Sequence, residues 1–138
     1  MSSDCIFCAI AAGTAEAEIV HTDADHVAFL DRRPLQHGHV LLIPRGHHET
    51  LADLPEDAVG ELFLLARRLS VAVRDAMEAE GSFVALNNKV SQSVPHLHVH
   101  VVPRVKGDGL RGFFWPRHKY GEGEIAETAA RIRAELED

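Results

Sequence analysis

Near residue 100 the chain reads His96-Leu97-His98-Val99-His100-Val101-Val102. Side chains along a β-strand alternate between two faces, so the three histidines share one face and Leu97, Val99 and Val101 share the other. The apolar face is expected to pack on a core, which leaves three imidazoles lining something polar. Neighbouring histidines would stand ~6.5 Å apart and the outer pair ~13 Å. Two neighbours could tilt onto one metal ion with M–N near ~2 Å, but three would not readily share one, so divided roles are expected. A neutral imidazole, with an ordinary pKa near ~6.5, can act as nucleophile or proton carrier at neutral pH. The chain has ten histidines and only two cysteines, both in Cys5-Ile6-Phe7-Cys8. In a reducing compartment such a pair is more often a metal or redox pair than a structural disulfide.

These residues need elements to position them. Cys5 to Ala12 reads as a short helix. Glu18 to Thr22 and Val27 to Leu30 read as strands around the polar turn Asp23-Ala24-Asp25. Pro34 to Gly38 reads as a loop, and Val40 to Ile43 as a buried strand ended by Pro44. The longest helix is expected from about Pro55 to Ala79, with apolar residues at Val59, Leu62, Phe63, Ala66, Leu69, Val73 and Met77. Asp53 is its expected cap, and Gly81 its stop. Phe83 to Leu86 and His96 to Val102 read as strands on either side of a polar loop, Asn87 to Pro95, with Pro103 ending the second. Gly107 to Gly112 reads as flexible. A last helix is expected from about Glu124 to Glu137, striped by Ile125, Ala129, Ile132 and Leu136. Strands joined by short turns, with one long helix between them, argue for an α+β fold with an antiparallel sheet and shorter flanking helices.

The length of 138 residues fits a single domain spanning 1–138. At 46% apolar and 25% charged residues, the composition is that of a globular protein. The net charge of −7 argues against a nucleic-acid backbone as partner, because phosphate affinity comes mainly from clustered Lys and Arg. No run approaches the ~20 apolar residues of a membrane span, and MSSDCIFC does not look like a signal peptide. A cytoplasmic location and no membrane partner are therefore expected.

His-φ-His-φ-His-φ-φ, with φ apolar, resembles the signature of the histidine triad (HIT) family of nucleotide hydrolases and transferases. Gln92-Ser93-Val94-Pro95 and Pro103-Arg104 around it resemble the family too. So do Cys5-Ile6-Phe7-Cys8, Ala28-Phe29-Leu30-Asp31, His37-Gly38-His39-Val40 and Ile43-Pro44-Arg45-Gly46-His47. The matches run in family order over about 5–104, and 105–138 carries no assigned role.

The resemblance implies roles. His98 matches the nucleophile, which would attack the α-phosphorus of a nucleotide conjugate and form a nucleotidyl-histidine, splitting one displacement into two. The conjugate would be a phosphoramidate, an adenylate or a dinucleoside polyphosphate, and the product a nucleoside monophosphate such as AMP. His100 matches a histidine contacting the phosphate and leaving group, and His39 one lying beside the nucleophile. Ser93 and Gln92 could donate to phosphate oxygens, as could Asn87 or Asn88. Asp31 looks like the ribose ligand, and Phe7, Ile10 and Phe29 like the apolar slot for the base. Cys5, Cys8, His47 and His96 resemble the ligands of a structural zinc found in many bacterial members. Such a closed Cys₂His₂ set suits tetrahedral Zn²⁺, and no metal would be needed at the phosphate. A homodimer is implied.

Two segments depart from the family pattern. The loop Asn87 to Ser93 has no glycine where many members have several, and Arg32-Arg33 replace small or apolar residues, where they could bind extra phosphates but read first as solvated charge. His48 has no family role and also reads as solvated. Two further readings stand beside the hydrolase or transferase: a nucleotide-binding regulatory module with incidental turnover, and a metal-dependent hydrolase using His96 and His98 on one ion.

Overall fold

The computed structural model describes residues 4–111 and 115–137, so Gly112 of the expected flexible stretch lies outside the described residues. The chain divides into two compact units, Met1–Asp108 and Gly109–Asp138.

The first unit is an α+β fold around a five-stranded antiparallel sheet. Its elements run α1 (Ile6–Ala12), β1 (Ile19–Thr22), β2 (His26–Leu30), β3 (Val40–Pro44), α2 (Glu56–Ala76), β4 (Gly81–Ala85) and β5 (Val99–Arg104). The strand order is β1-β2-β3-β5-β4. β2 and β3 are covered on both faces, which is why they read as continuous apolar runs. Ala28, Val40, Leu42, Leu97, Val99 and Val101 face α2 and pack on its Leu62, Leu65, Ala66, Leu69 and Val73. Val27, Phe29, Leu41 and Ile43 face the other way and receive Phe7 and Ile10 of α1.

Several boundaries differ from the sequence reading. The β5 ladder begins at Val99, because the preceding His96-Leu97-His98 is held from outside the sheet: the Leu97 amide donates to the His48 carbonyl at 2.7 Å. Pro103 sits inside β5 opposite Ser82, where β3 no longer pairs, so its missing N–H costs no ladder bond on that side. Likewise β3 runs through Pro44, opposite His26. Asp53 does not cap α2. Its Oδ2 accepts from the Thr50 amide and hydroxyl at 3.0 and 2.8 Å around a 3₁₀ turn, Leu51–Asp53, and Pro55 takes the cap position. Helix α2 stops at Ala76, because Glu78 turns left-handed (φ 52) while the Ala79 amide closes on the Arg74 carbonyl. Phe63 and Met77 of its expected stripe are exposed, and Leu65 joins the core instead.

In the second unit α3 runs from Glu124 to Leu136. None of its residues is buried, so its apolar stripe forms no core. Among the described residues, no helix is long and apolar enough to cross a membrane.

Candidate active site

The alternation expected along residues 96–102 holds. Leu97, Val99 and Val101 are buried on the α2 side, and the histidines turn toward α1. There His98 and His100, with Ser93, line a cavity of about 340 Å³. Its apolar wall is Phe7, Ile10, Phe29 and Leu41, and Asp31 stands at its rim. Phe7 reaches the cavity because α1 is short and sharply bounded: Cys5 accepts from the Cys8 amide at its start, and Gly13 (φ 79) turns the chain at its end. The ring of Phe7 stands edge-on to those of Phe29 and His98, with centroids 5.4 and 5.0 Å away.

Hydrogen bonds fix the imidazole tautomers, because carbonyls only accept and amides only donate. His98 Nδ1 lies 2.8 Å from the His96 carbonyl. The neutral ring therefore carries its proton on Nδ1 and leaves an Nε2 lone pair. The Leu35 amide donates to His39 Nδ1 at 3.1 Å, so the His39 proton is on Nε2, which donates to His100 Nδ1 at 3.0 Å. His100 then holds its own proton on Nε2. The rings of His98 and His100 lie 5.0 Å apart. Burial pushes the His100 pKa down to about 4, and the neighbouring His98 and His39 push the same way. Burial also lowers His39, against the pull of Asp31, whose Oδ2 is 3.8 Å from His39 Nδ1. Both rings are neutral at pH 7. Asp31, His39 and His100 offer ligand atoms within 4.8 Å of one another. The His39 and His100 nitrogens that face each other are engaged in the proton chain rather than free for an ion.

A second cluster lies behind the first. Ligand atoms of Cys5, Cys8, His47 and His96 all fall within 4.8 Å of one another. His96 Nδ1 is 3.3 Å from Cys5 Sγ and 3.5 Å from Cys8 Sγ, and His47 Nδ1 is 3.3 Å from Cys8 Sγ. His96 Nε2–H donates to the Pro44 carbonyl at 2.9 Å, which aims the Nδ1 lone pair at the thiols. Such an outer partner is what a metal-binding histidine needs, so the residues fit a tetrahedral metal. His96 and His98 turn their lone pairs to different places and do not converge on one ion.

Not every residue singled out in the sequence reaches the cavity. The Gln92 amide donates to the Glu49 carbonyl at 2.7 Å and accepts from Lys89 N at 2.9 Å. Asn88 Oδ1 accepts from the Leu51 amide at 2.9 Å, and Asn87 Nδ2 donates to the Ser91 carbonyl at 3.3 Å. These side chains brace the loop that carries Ser93. The loop bends without glycine because Lys89 (φ 71) and Ser91 (φ 63) themselves turn left-handed. His48 is half-buried rather than solvated. Leu41, Ala15 and Ala17 line the cavity unforeseen, and Arg32, read first as solvated charge, lines it too. Leu41 could be guessed only once a partner strand decided which face of the apolar run turned inward. Ala15 and Ala17 carry no sequence signal.

Fold and site together define a small α+β protein with a histidine-faced cavity backed by a four-ligand Cys/His cluster. The HIT domain model matches residues 12–107. The chain belongs to the HIT family. Among its relatives, Protein hit of Bacillus subtilis is 37% identical over 120 residues, covering 85% of this chain and 82% of that one. An adenylylsulfatase of Arabidopsis thaliana is 31% identical over 112 residues, covering 80% and 57%. An adenosine 5'-monophosphoramidase of Candida albicans is 27% identical over 140 residues, covering 97% and 92%. A crystal structure from Streptococcus mutans superposes with a TM-score of 0.91 at 31% identity, covering 99% of this chain and 88% of that one. A Zn-bound histidine triad family protein from Mycobacterium smegmatis does so at 0.74 and 32%, covering 96% and 97%.

Proposed function

We infer that this protein is a nucleotide hydrolase or transferase acting at the α-phosphate of a nucleotide conjugate. The observation that carries the reading is the His98 ring. It borders a nucleoside-sized cavity with Nδ1–H tied to a carbonyl and Nε2 left as a nucleophile. Two HIT relatives are named as hydrolases of adenylyl compounds.

In the proposed reaction His98 Nε2 attacks the α-phosphorus. A P–N bond forms, the bond from phosphorus to the leaving group breaks, and the leaving group takes the proton from His100 Nε2. His39 Nε2–H holds the His100 ring through their shared hydrogen bond, and the proton that His100 gives up returns to its Nε2 from the water that completes the reaction. Water attacks the nucleotidyl-histidine, the P–N bond breaks, and a nucleoside monophosphate such as AMP leaves. Ser93 donates to a phosphate oxygen, and Asp31 accepts from the ribose hydroxyls. Phe7, Ile10 and Phe29 hold the base. Gln92 and Asn88 act at one remove, by holding the Ser93 loop.

Cys5, Cys8, His47 and His96 would hold a structural Zn²⁺, which supplies a cross-link and no chemistry at phosphorus. The protein would act in the cytoplasm as a homodimer. β4 is a sheet edge, and Leu64, Val71 and Val84 are exposed apolar residues of α2 and β4 suited to a second copy.

The test is a rate panel on adenosine phosphoramidate, an aminoacyl adenylate and diadenosine polyphosphates, with wild type and His98→Ala. Rapid quench and mass spectrometry would follow the covalent species. Turnover should vanish in the variant, and the adduct should map to residue 98. Full turnover without that ring, or an adduct elsewhere, refutes the mechanism.

A further inference from the structure

We propose that the Cys5/Cys8/His47/His96 cluster sets nucleotide affinity: a metal held there fixes α1, and α1 is a wall of the nucleotide cavity. The inference rests on the nucleotide reading above and adds a control to it.

The argument starts from the weakness of α1. It has seven residues, no acidic side chain in its first turn and no basic one in its last. An isolated helix needs ~12–15 residues to be even marginal in water, so α1 depends on what holds it. Two things do. Its inward face, Phe7 and Ile10, packs on Phe29 and Leu41. Its outer end carries Cys5 at the cap and Cys8 in the first turn, both turned to His96. A metal would therefore tie α1 to the segment that leads directly into His98.

The two clusters share parts. The His96 ring belongs to the metal set, while its carbonyl holds His98 Nδ1. Phe7 lies between the two cysteines and packs on both rings, 5.9 Å from His96 and 5.0 Å from His98 between centroids. With metal bound, α1 stays docked and the base wall is built before the nucleotide arrives. Without it, two thiols and two imidazoles are left facing one another with no ion to join them. The nucleotide must then order α1 itself and binds more weakly by that cost. Cys5 and Cys8 are in this sense positioning residues for the cavity, acting through Phe7 and Ile10.

Linkage makes the proposal quantitative. If metal tightens nucleotide binding by some factor, nucleotide must tighten metal binding by the same factor. The experiment measures AMP binding by calorimetry to zinc-loaded and chelator-stripped protein. It also measures zinc affinity by competition with a chromogenic chelator, with and without AMP. AMP should bind about tenfold more weakly to the stripped protein, and AMP should tighten zinc by the same factor. Zinc-loaded protein that fails to bind AMP overturns the nucleotide reading, and the proposal with it. Equal AMP affinity in the two forms overturns the coupling alone. Phe7→Leu keeps all four ligands and guards against loss of metal merely unfolding the chain. At matched AMP occupancy its zinc affinity should respond to AMP less than that of wild type, and an undiminished response refutes the route through α1.

Discussion

Acidification from pH 7 to pH 4.5 should destabilise the fold in part through His100, and His100→Gln should remove that part. The folded-state pKa is held at about 4, first by burial and then by His98 and His39, against an ordinary value of 6.5 in the unfolded chain. The unfolded chain thus takes up the proton first as pH falls. The stabilising contribution of the neutral ring is complete above about pH 6.5 and is lost as pH drops toward 4. Integrated from pH 7 to 4.5, this shift has a ceiling of about 2 kcal/mol. His100 borders the open cavity, so solvent screening lowers the expected loss to about 1 kcal/mol. Glutamine keeps an oxygen that can accept from His39 Nε2–H, and the metal cluster responds to acid equally in both proteins. The difference between the two stability curves therefore isolates this ring. Urea unfolding at several pH values across that window measures it. Curves that fall in parallel would show that the His100 proton is not taken up ahead of unfolding in the way its surroundings dictate.

Other consequences follow from the same geometry. Asp31→Asn should raise KM for a ribonucleotide substrate about tenfold or more by weakening charge-assisted bonds to the sugar, and steady-state kinetics should show little change for the 2',3'-dideoxy analogue. Leu42 is fully buried between β3 and α2. Leu42→Ala should cost about 3–5 kcal/mol in chemical denaturation, and a loss below about 1 would mean that this face is not close-packed. Leu64 is 61% exposed on α2. If a second copy covers that face, Leu64→Glu should shift the sedimentation coefficient from dimer to monomer without altering the circular dichroism.

The composite of local patterns was legible in the chain. Period-2 alternation fixed which side of residues 96–102 faces the core. Period-3.6 spacing found α2, although its ends moved where Pro55 and Glu78 took conformations that the pattern does not encode. Phe63 fits the stripe by spacing and still lies outside the core, because a helix on a twisted sheet buries a narrower strip than its apolar residues span, and Met77 falls past the helix end at Ala76. The same limit applies to Gln92 and Asn88. Their residue type suits phosphate, but the loop around them left main-chain groups nearer to hand.

By itself the sequence determined the alternation of the histidines and the antiparallel α+β class, because each depends on residue type and spacing along short stretches of chain, whereas the four possible metal ligands, spread from Cys5 to His96, were implied only by the family resemblance. Only the tertiary structure decided which nitrogen of each imidazole keeps its proton. For two of the triad rings that choice is made by partners far away in sequence, the Pro44 carbonyl for His96 and His39, itself held by the Leu35 amide, for His100, while His98 is set by the His96 carbonyl two residues before it. A hydrogen bond reads direction as well as identity, and direction exists only once distant strands have been brought side by side.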